Sequence, residues 1–225
     1  MTMDESLSQG AEEIYSSTPP DEVPWNSDEP PPLLAELVNS GSVKPGRTLD
    51  LGCGLGNYAI WLAGRDFDVV GVDASPTAIK IARQNAKKRL DVARHKKKAK
   101  CKFLVADLTE KWPDLGKHFD FVYDWGLLHH ILPEKRGKYV ENVHRVLKPD
   151  GKYLSLCFNE KDTAFKGSGK YRKTKLGTVV YLSFEKELRE LFRRFFRIID
   201  FRVIENTGKF MTHVFNYCFM ERKGN

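Results

Sequence analysis

The chain has 225 residues, 41% of them hydrophobic, and a formal net charge of +7, which suits one domain with a single core. The charge is uneven: the residues before Lys44 hold nine acids and no Lys or Arg, and the remainder holds 37 bases against 21 acids. No apolar stretch is long enough for a membrane span and no secretory signal is visible, so we expect a cytoplasmic protein. Four cysteines without metal-type spacing favour buried thiols in a reducing compartment.

The N-terminal part of the chain changes character twice. Residues 1–22 are acidic and poor in core side chains, which predicts a flexible arm. The overlapping stretch STPPDEVPWNSDEPPP is too rich in proline for an interior helix or strand, and it carries one large aromatic residue, Trp25. PLLAELVNSG then has helical spacing, with proline near its start and glycine at its end. We expect the folded domain to occupy residues 23–225.

Apolar runs and helical patterns alternate through the rest of the chain. RTLDLGCG, FDVVGVD, CKFLVADL, FDFVYDWG and GKYLSLCF are typical of strands, and SPTAIKIARQNAKKRL, GKYVENVHRVL and SFEKELRELFRRF are typical of helices. Ser75 and Ser183 stand at the N-cap positions of two of these helices. RIIDFRVIEN and THVFNYCFMERK predict two final strands paired through a TGKF turn. This order predicts an α/β fold with a mostly parallel sheet, helices on both faces and an antiparallel edge.

A glycine-rich loop, LDLGCGLGN, follows the first strand. Its three glycines let the backbone turn sharply and approach a ligand at the carboxyl edge of the sheet; they are Gly52, Gly54 and Gly56. Asp50 precedes the loop, and Asp73 and Asp107 end the next two strands at the same edge. Such a loop also suits a dinucleotide, but the spacing is GxGxG and the charge of Asp50 would repel a pyrophosphate. A ligand with a cationic head and no phosphate fits better.

These motifs resemble those of the class I S-adenosylmethionine-dependent methyltransferases, and the resemblance extends over nearly the whole chain from Trp25 onward. LDLGCGLG is similar to the family's first motif, VVGVDAS to its second strand, VADL to its adenine-side motif and VLKPDGKYL to the segment leading into strand five. The resemblance implies a Rossmann-like sheet of seven strands with a reversed last strand, and S-adenosyl-L-methionine as cofactor. The implied cofactor-binding residues are Trp25, Asp50, Gly52, Gly54, Gly56, Asp73, Ala74, Asp107, Leu108 and Asp124. In that family pattern Asp73 holds the ribose hydroxyls, and Asp107 with Leu108 flanks the adenine.

Two stretches, VPWNSDEPPPLLAELV and YDWGLLHHI, are similar to segments of the thiopurine, thiol and halide methyltransferase group. There a tryptophan-bearing arm closes the cofactor site and an Asp-x-Gly element borders the substrate, which implies a lid role for Trp25 and a site position for Asp124. Asp28 stands where that group usually has glycine, and His129 and His130 replace non-basic residues. The implied reaction is methyl transfer to a small molecule, which is either a thiol or halide or an oxygen or nitrogen nucleophile.

The two adjacent histidines follow the fourth strand, beside the expected position of the methyl group. A neutral oxygen or nitrogen nucleophile must lose a proton, and histidine has a suitable pKa for accepting it. Because adjacent side chains point in different directions, one of His129 and His130 at most would face the substrate as a catalytic base. The alternative is that both are packed and shape the loop. Neighbouring histidines with no third ligand do not predict a metal site.

An insertion at 159–181 follows the fifth strand, and its length and glycines predict a flap on the ligand side of the sheet. Its Lys170, Arg172 and Lys173 would favour an anionic substrate and are equally typical of a disordered basic loop, whereas the basic run Arg94–Lys102 is more typical of a solvated loop than of a binding surface. A second hypothesis therefore keeps the reaction but makes the acceptor RNA or protein. A third is a non-catalytic partner subunit that binds the cofactor. We expect a small-molecule acceptor and no membrane partner.

Overall fold

The computed structural model describes residues 3–92, 100–116, 118–208 and 210–224, with backbone alone at 3–9, 91 and 92. The helices are α1 (Met3–Ser17), α2 (Pro32–Asn39), α3 (Asn57–Ala63), α4 (Pro76–Val92), α5 (Pro133–Val146) and α6 (Glu185–Phe192). The strands are β1 (Arg47–Leu51), β2 (Asp68–Asp73), β3 (Lys100–Val105), β4 (Phe119–Trp125), β5 (Leu147–Phe158), β6 (Tyr171–Lys173), β7 (Val179–Tyr181), β8 (Phe196–Thr207) and β9 (Thr212–Arg222). A 3-10 helix, Leu128–His130, follows β4.

Seven of these strands form one sheet in the order β3-β2-β1-β4-β5-β9-β8. β1 to β5 run parallel to their neighbours among themselves, whereas β9 is antiparallel to both β5 and β8. This arrangement confirms the predicted Rossmann-like fold with its reversed last strand. The chain switches sides of the sheet between β1 and β4, so the carboxyl ends of these two strands border a crevice where α/β proteins bind ligands.

The central strands divide their side chains between two apolar cores, one on each face of the sheet. Phe121 and Tyr123 of β4 belong to the core that also holds residues of α2, α3 and α4. Val122 belongs to the opposite core, with residues of α5 and α6. Fully burying a side chain of this size stabilises a fold by about 1.5–3 kcal/mol, which explains why both faces of β4 are apolar. A helix with the length and hydropathy of a bilayer span is absent from the described part of the chain.

The acidic N-terminal segment differs from the flexible arm that its composition predicts, because it forms α1. Ile14 and Tyr15 of this helix are buried. Glu12 accepts hydrogen bonds from the Ser75 hydroxyl and from Thr77, whose hydroxyl and N–H lie 2.6 Å and 3.2 Å from its oxygens. The carboxylate thus lies at the first turn of α4, where the helix dipole favours negative charge. The composition of the segment does not predict this helix, because the residues that bind Glu12 lie 63 and 65 positions further along the chain.

One of the two predicted N-caps is present. The Ser75 hydroxyl accepts the N–H three residues on, at 3.0 Å, as predicted for α4. In α6 the N-cap is Phe184, whose N–H donates to the Glu187 carboxylate at 2.9 Å. The predicted cap at Ser183 is wrong, because its hydroxyl instead accepts a hydrogen bond from Arg136 at 2.9 Å.

The insertion at 159–181 contains a small antiparallel hairpin of β6 and β7, and β7 lies beside the 3-10 helix. We call this segment the flap. Lys170, which we expected to favour an anionic substrate, is paired with Glu187 and lies over the rings of two neighbouring aromatic residues. The other basic run, Arg94–Lys102, lies outside the described residues except for its last three.

Candidate active site

The glycine loop after β1 is bonded to Asp73. The N–H of Gly54 donates to Oδ2 of Asp73 at 2.8 Å, and the N–H of Ser75 donates to Oδ1 at 2.9 Å. Burial raises the pKa of Asp73, and these two backbone hydrogen bonds oppose the rise. The carboxylate is therefore fixed at the end of β2 beside the loop, where the ribose prediction requires it.

The glycines of the loop have different neighbours. Gly54 and Gly56 both have positive φ, at 50° and 78°. A Cβ at Gly54 would lie 2.7 Å from the Tyr15 hydroxyl, so the missing side chain lets α1 approach the loop. A Cβ at Gly56 would lie 2.6 Å from the Phe103 ring and 2.9 Å from Ala82. Gly56 is thus required for packing of the loop on α4 and β3, and Gly54 is required for packing of the loop against Tyr15 of α1. Gly52, with φ of 73°, faces Leu127.

Asp50 is buried beneath the loop, with 3% of its surface exposed. Burial raises its pKa to about 7, and the carboxylates of Asp73 and Asp124 act in the same direction. A cationic ligand near this group would favour its ionised form. The acids that the sequence predicts at successive strand ends therefore do influence one another electrostatically.

Asp124 does not fit the predicted contact with the cofactor. It is fully buried, and it accepts hydrogen bonds from Tyr153, from Ser155 at 3.2 Å and from Tyr139 at 3.3 Å. Burial raises its pKa to about 6. Successive residues of a strand face opposite sides, so Asp124 points away from the core that holds Tyr123 and into the one beneath α5. The cofactor contact of Asp124 therefore stays a prediction that this geometry does not favour.

The predicted adenine-side residues lie in the turn after β3. Asp107 accepts hydrogen bonds from the N–H and the hydroxyl of Thr109, at 2.8 Å and 2.7 Å. Leu108 is buried, and its carbonyl accepts the indole N–H of Trp112 at 2.8 Å. Ala74 is partly buried directly after β2. These residues form a partly apolar surface at the carboxyl edge of the sheet, where adenine is expected.

Trp25 lies at the rim of the same region. Its indole N–H donates to the Tyr15 hydroxyl at 2.8 Å, and the two rings meet edge to face at 6.2 Å. The next residue, Asn26, accepts a hydrogen bond at 2.8 Å from Asn57, which begins α3 directly after the loop. Trp25 remains 45% exposed. This position agrees with the predicted lid, and Tyr15 is a neighbour that the sequence did not indicate.

The loop of His129 and His130 is clamped by Arg136. From α5 this buried side chain donates to the carbonyl oxygens of Leu128 and Ile131, both at 2.8 Å. These carbonyls flank the two histidines, so the guanidinium fixes the backbone on both sides of them. Sequence reasoning missed Arg136, because nothing in the pattern of α5 marks this arginine as buried.

Both imidazoles of this loop are kept neutral. Burial lowers the pKa of His129 well below its usual value, and the nearby His130 and Arg136 add to the effect. Burial lowers the pKa of His130 to about 4. Nδ1 of His129 is buried and has no hydrogen-bond partner among the residues described. A histidine that resists protonation is a poor proton acceptor at neutral pH, so the catalytic role stays a prediction that this geometry does not favour.

An aromatic cluster lies at the same edge of the sheet. It is built around Phe158, the last residue of β5, and its other members are His129, Phe165, His213 and Phe215. Their ring centroids lie 4.1 Å, 4.8 Å, 5.0 Å and 4.8 Å from that of Phe158. The cluster therefore joins the histidine loop to the flap and to β9. Phe158 and Phe215 fall in predicted strands, but no pattern in the sequence brings these rings together.

The glycine loop, the acid at the end of β2 and the turn after β3 surround the point where the strand order reverses. Together they are typical of an α/β protein that binds an adenosyl ligand at such a crevice.

Comparison with known proteins agrees with this class. A family model described as "Methyltransferase domain" matches residues 48–151. The 2-heptyl-1-hydroxyquinolin-4(1H)-one methyltransferase of Mycobacteroides abscessus is 31% identical over 162 residues, covering 70% of this chain and 67% of that protein. Thiocyanate methyltransferase 1 of Brassica oleracea is 30% identical over 135 residues, 60% of this chain and 56% of that protein. The chain belongs to the S-adenosylmethionine-dependent methyltransferases, which confirms the enzyme class and the cofactor.

A solved structure supports the fold independently. It comes from work on the conversion of a disulfide bond into a thioacetal group during echinomycin biosynthesis. Its TM-score is 0.78 at 23% identity, covering 97% of this chain and 93% of that chain. The chain spans 67% of the length of the first relative and 56% of the length of the second.

Proposed function

We propose that the protein methylates a small molecule with an aromatic or soft nucleophile, bound against the aromatic cluster. The observation that carries this proposal is the set of rings of Phe158, Phe165 and Phe215 at the carboxyl edge of the sheet. Aromatic walls with a few polar groups are typical of sites for small organic ligands. The names of the two relatives point to a hydroxyquinolone and to thiocyanate as acceptors of this kind.

The residues of the glycine loop fit the cofactor. The Asp73 carboxylate accepts backbone hydrogen bonds from Gly54 and Ser75, and its remaining acceptor capacity suits a ribose hydroxyl. The Tyr15 hydroxyl lies over Gly54, and the aromatic rings of Tyr15 and Trp25 at this rim suit a cation. Bound here, the cofactor supplies an electrophilic methyl group on a sulfonium.

The protein's own contribution is alignment and exclusion of water. Methyl transfer is an in-line displacement, so much of its rate comes from holding the nucleophile in position. Arg136 fixes the loop on one side of the site. The flap also contacts α1, since a Cβ at Gly10 of α1 would lie 2.8 Å from Cγ2 of Thr178 in the flap. The neutral imidazoles of His129 and His130 add polar surface without a charge that would repel a sulfonium.

Calorimetric titration with S-adenosylmethionine and S-adenosylhomocysteine tests the cofactor site. We expect Asp73→Ala to weaken binding by about 2 kcal/mol, because a charged hydrogen bond is lost. Asp68→Ala is the matched control, since Asp68 begins the same strand at the opposite edge of the sheet. This variant should bind the cofactor as tightly as the wild type. Unchanged affinity in Asp73→Ala contradicts the ribose assignment.

Turnover with thiophenol, thiocyanate and 1-hydroxyquinolin-4-one tests the acceptor class, with release of S-adenosylhomocysteine as the readout. Conversion of any of them supports the proposal. Cofactor binding without conversion of any probe contradicts the acceptor class. Absence of binding to both cofactor forms contradicts the site itself.

A further inference from the structure

Asp162 and His213 form a hydrogen-bonded pair beside the aromatic cluster. Asp162 belongs to the flap and His213 to the start of β9, and Oδ2 of the carboxylate lies 2.9 Å from Nδ1 of the imidazole. The Asp162 side chain is 0% exposed and that of His213 is 17% exposed. The imidazole stacks on Phe165 at 4.8 Å and lies 5.0 Å from Phe158. A histidine is thus held at the edge of the proposed acceptor site by a buried carboxylate.

The carboxylate of Asp162 is fixed in place and ionised. Oδ2 also accepts the N–H of Val214 at 2.8 Å, and Oδ1 accepts the N–H of Ala164 at 2.9 Å. Burial acts to raise the pKa of Asp162, but the hydrogen bonds from His213 and these N–H groups leave it below its ordinary value. An ionised carboxylate is only an acceptor, so His213 must carry its proton on Nδ1. In the neutral ring Nε2 then holds a lone pair.

The surroundings of His213 leave that lone pair available. Among the residues described, Nε2 has no hydrogen-bond partner, and it is not sealed from solvent. The residue opposite His213 on β8 is the uncharged Asn206. From the 3-10 helix, His129 faces the cluster and is neutral because burial lowers its pKa. Asp162 is therefore the charged group that is hydrogen-bonded to this imidazole.

We propose that His213 is the general base for protic acceptors and that Asp162 is its positioning residue. This inference rests on the proposed methyl transfer. The acceptor O–H gives its proton to Nε2, its oxygen forms the bond to the methyl carbon, and the methyl–sulfur bond breaks with its electron pair remaining on sulfur. The imidazolium is stabilised by Asp162 and passes its proton to water at the exposed edge. Thiocyanate has no proton to lose and needs no base.

The first test compares a protic and an aprotic acceptor in the full-length chain. We expect His213→Gln to lower kcat with 1-hydroxyquinolin-4-one about 100-fold near neutral pH and to recover at alkaline pH, where the acceptor ionises by itself. Turnover of thiocyanate should fall far less than turnover of the protic acceptor. Asp162→Asn should shift the pH profile in the same way, and His144→Gln, on the far end of α5, should change neither reaction. Equal losses with both acceptors, or no loss with the protic one, overturn the proposal.

The second test needs no acceptor. Long-range proton–nitrogen NMR spectra of the His213 ring should place the proton on Nδ1 in the wild type and on Nε2 in Asp162→Asn. A proton on Nε2 in the wild type overturns the proposal even when neither probe is converted. Titration with S-adenosylhomocysteine separates the two failures, since a wild type that does not bind it refutes the proposed function and leaves the tautomer result standing.

Discussion

The two histidine regions at the carboxyl edge of the sheet differ in what holds their rings. His129 and His130 lie on a loop whose backbone is fixed by the cation of Arg136, and burial lowers the pKa of both. His213 is instead held through Nδ1 by the carboxylate of Asp162. A buried cation favours a neutral imidazole, whereas a carboxylate stabilises an imidazole that gains charge. Proximity to the expected methyl position therefore does not by itself make a histidine a base.

The largest effect should come from removing the cation of the first region. Arg136→Met leaves the buried carbonyls of Leu128 and Ile131 without their donor, so we expect the free energy of unfolding to fall by about 3 kcal/mol. Urea denaturation measures it. Arg145→Met, an exposed position on the same helix, should change stability by less than about 0.5 kcal/mol. Equal stability of the two variants would show that the histidine loop does not depend on the clamp.

The same substitution at two histidines should have opposite effects. His213→Phe leaves the buried Asp162 carboxylate without its imidazole and should cost about 2 kcal/mol of stability. His129→Phe removes the unpartnered Nδ1 and should add about 1 kcal/mol, with turnover retained. Urea denaturation and steady-state kinetics check both. A hundredfold loss of turnover in His129→Phe, with cofactor affinity intact, would restore His129 as the base.

The smallest effect concerns pH. A histidine whose folded pKa lies below its unfolded value costs stability as pH falls, because the unfolded chain binds a proton that the folded chain does not. For His130, with a folded pKa of about 4, the loss falls between that value and the usual pKa near 6.5. His130→Gln should therefore lose less stability than the wild type between pH 7 and pH 5, by under about 1 kcal/mol for this partly exposed ring.

Measurement of unfolding in urea at the two pH values gives this difference. Asp50 and Asp124 have raised pKa values and favour the folded state as pH falls, but they are present in both proteins and cancel. Identical slopes for wild type and His130→Gln would show that this imidazole is not shielded in the folded chain.

Much of the fold could be predicted because its signals are local. The strands are apolar runs that end in glycine or an acid, and Ser75 caps the helix that it immediately precedes. The helix α1 could not be predicted in this way. Its anchoring depends on Glu12 reaching α4 and on Tyr15 meeting Trp25, contacts that exist only once the chain has folded.

The candidate site, too, was predictable only where its residues lie close together in the sequence. The glycine loop and Asp73 lie within one short βαβ unit, so their spacing predicts their meeting. Asp162 and His213 are 51 residues apart, on the flap and on a strand that returns antiparallel to β5. No periodicity in the sequence joins these two segments, and the pairing of β5 with β9 brings them together.

The position of α1 bears on how the two products leave the enzyme. Glu12 holds this helix to the start of α4, and Gly10 lies against Thr178 of the flap. A movement that uncovers the glycine loop must therefore also part the helix from the flap. We therefore expect the demethylated cofactor and the methylated product to leave in one opening step instead of two.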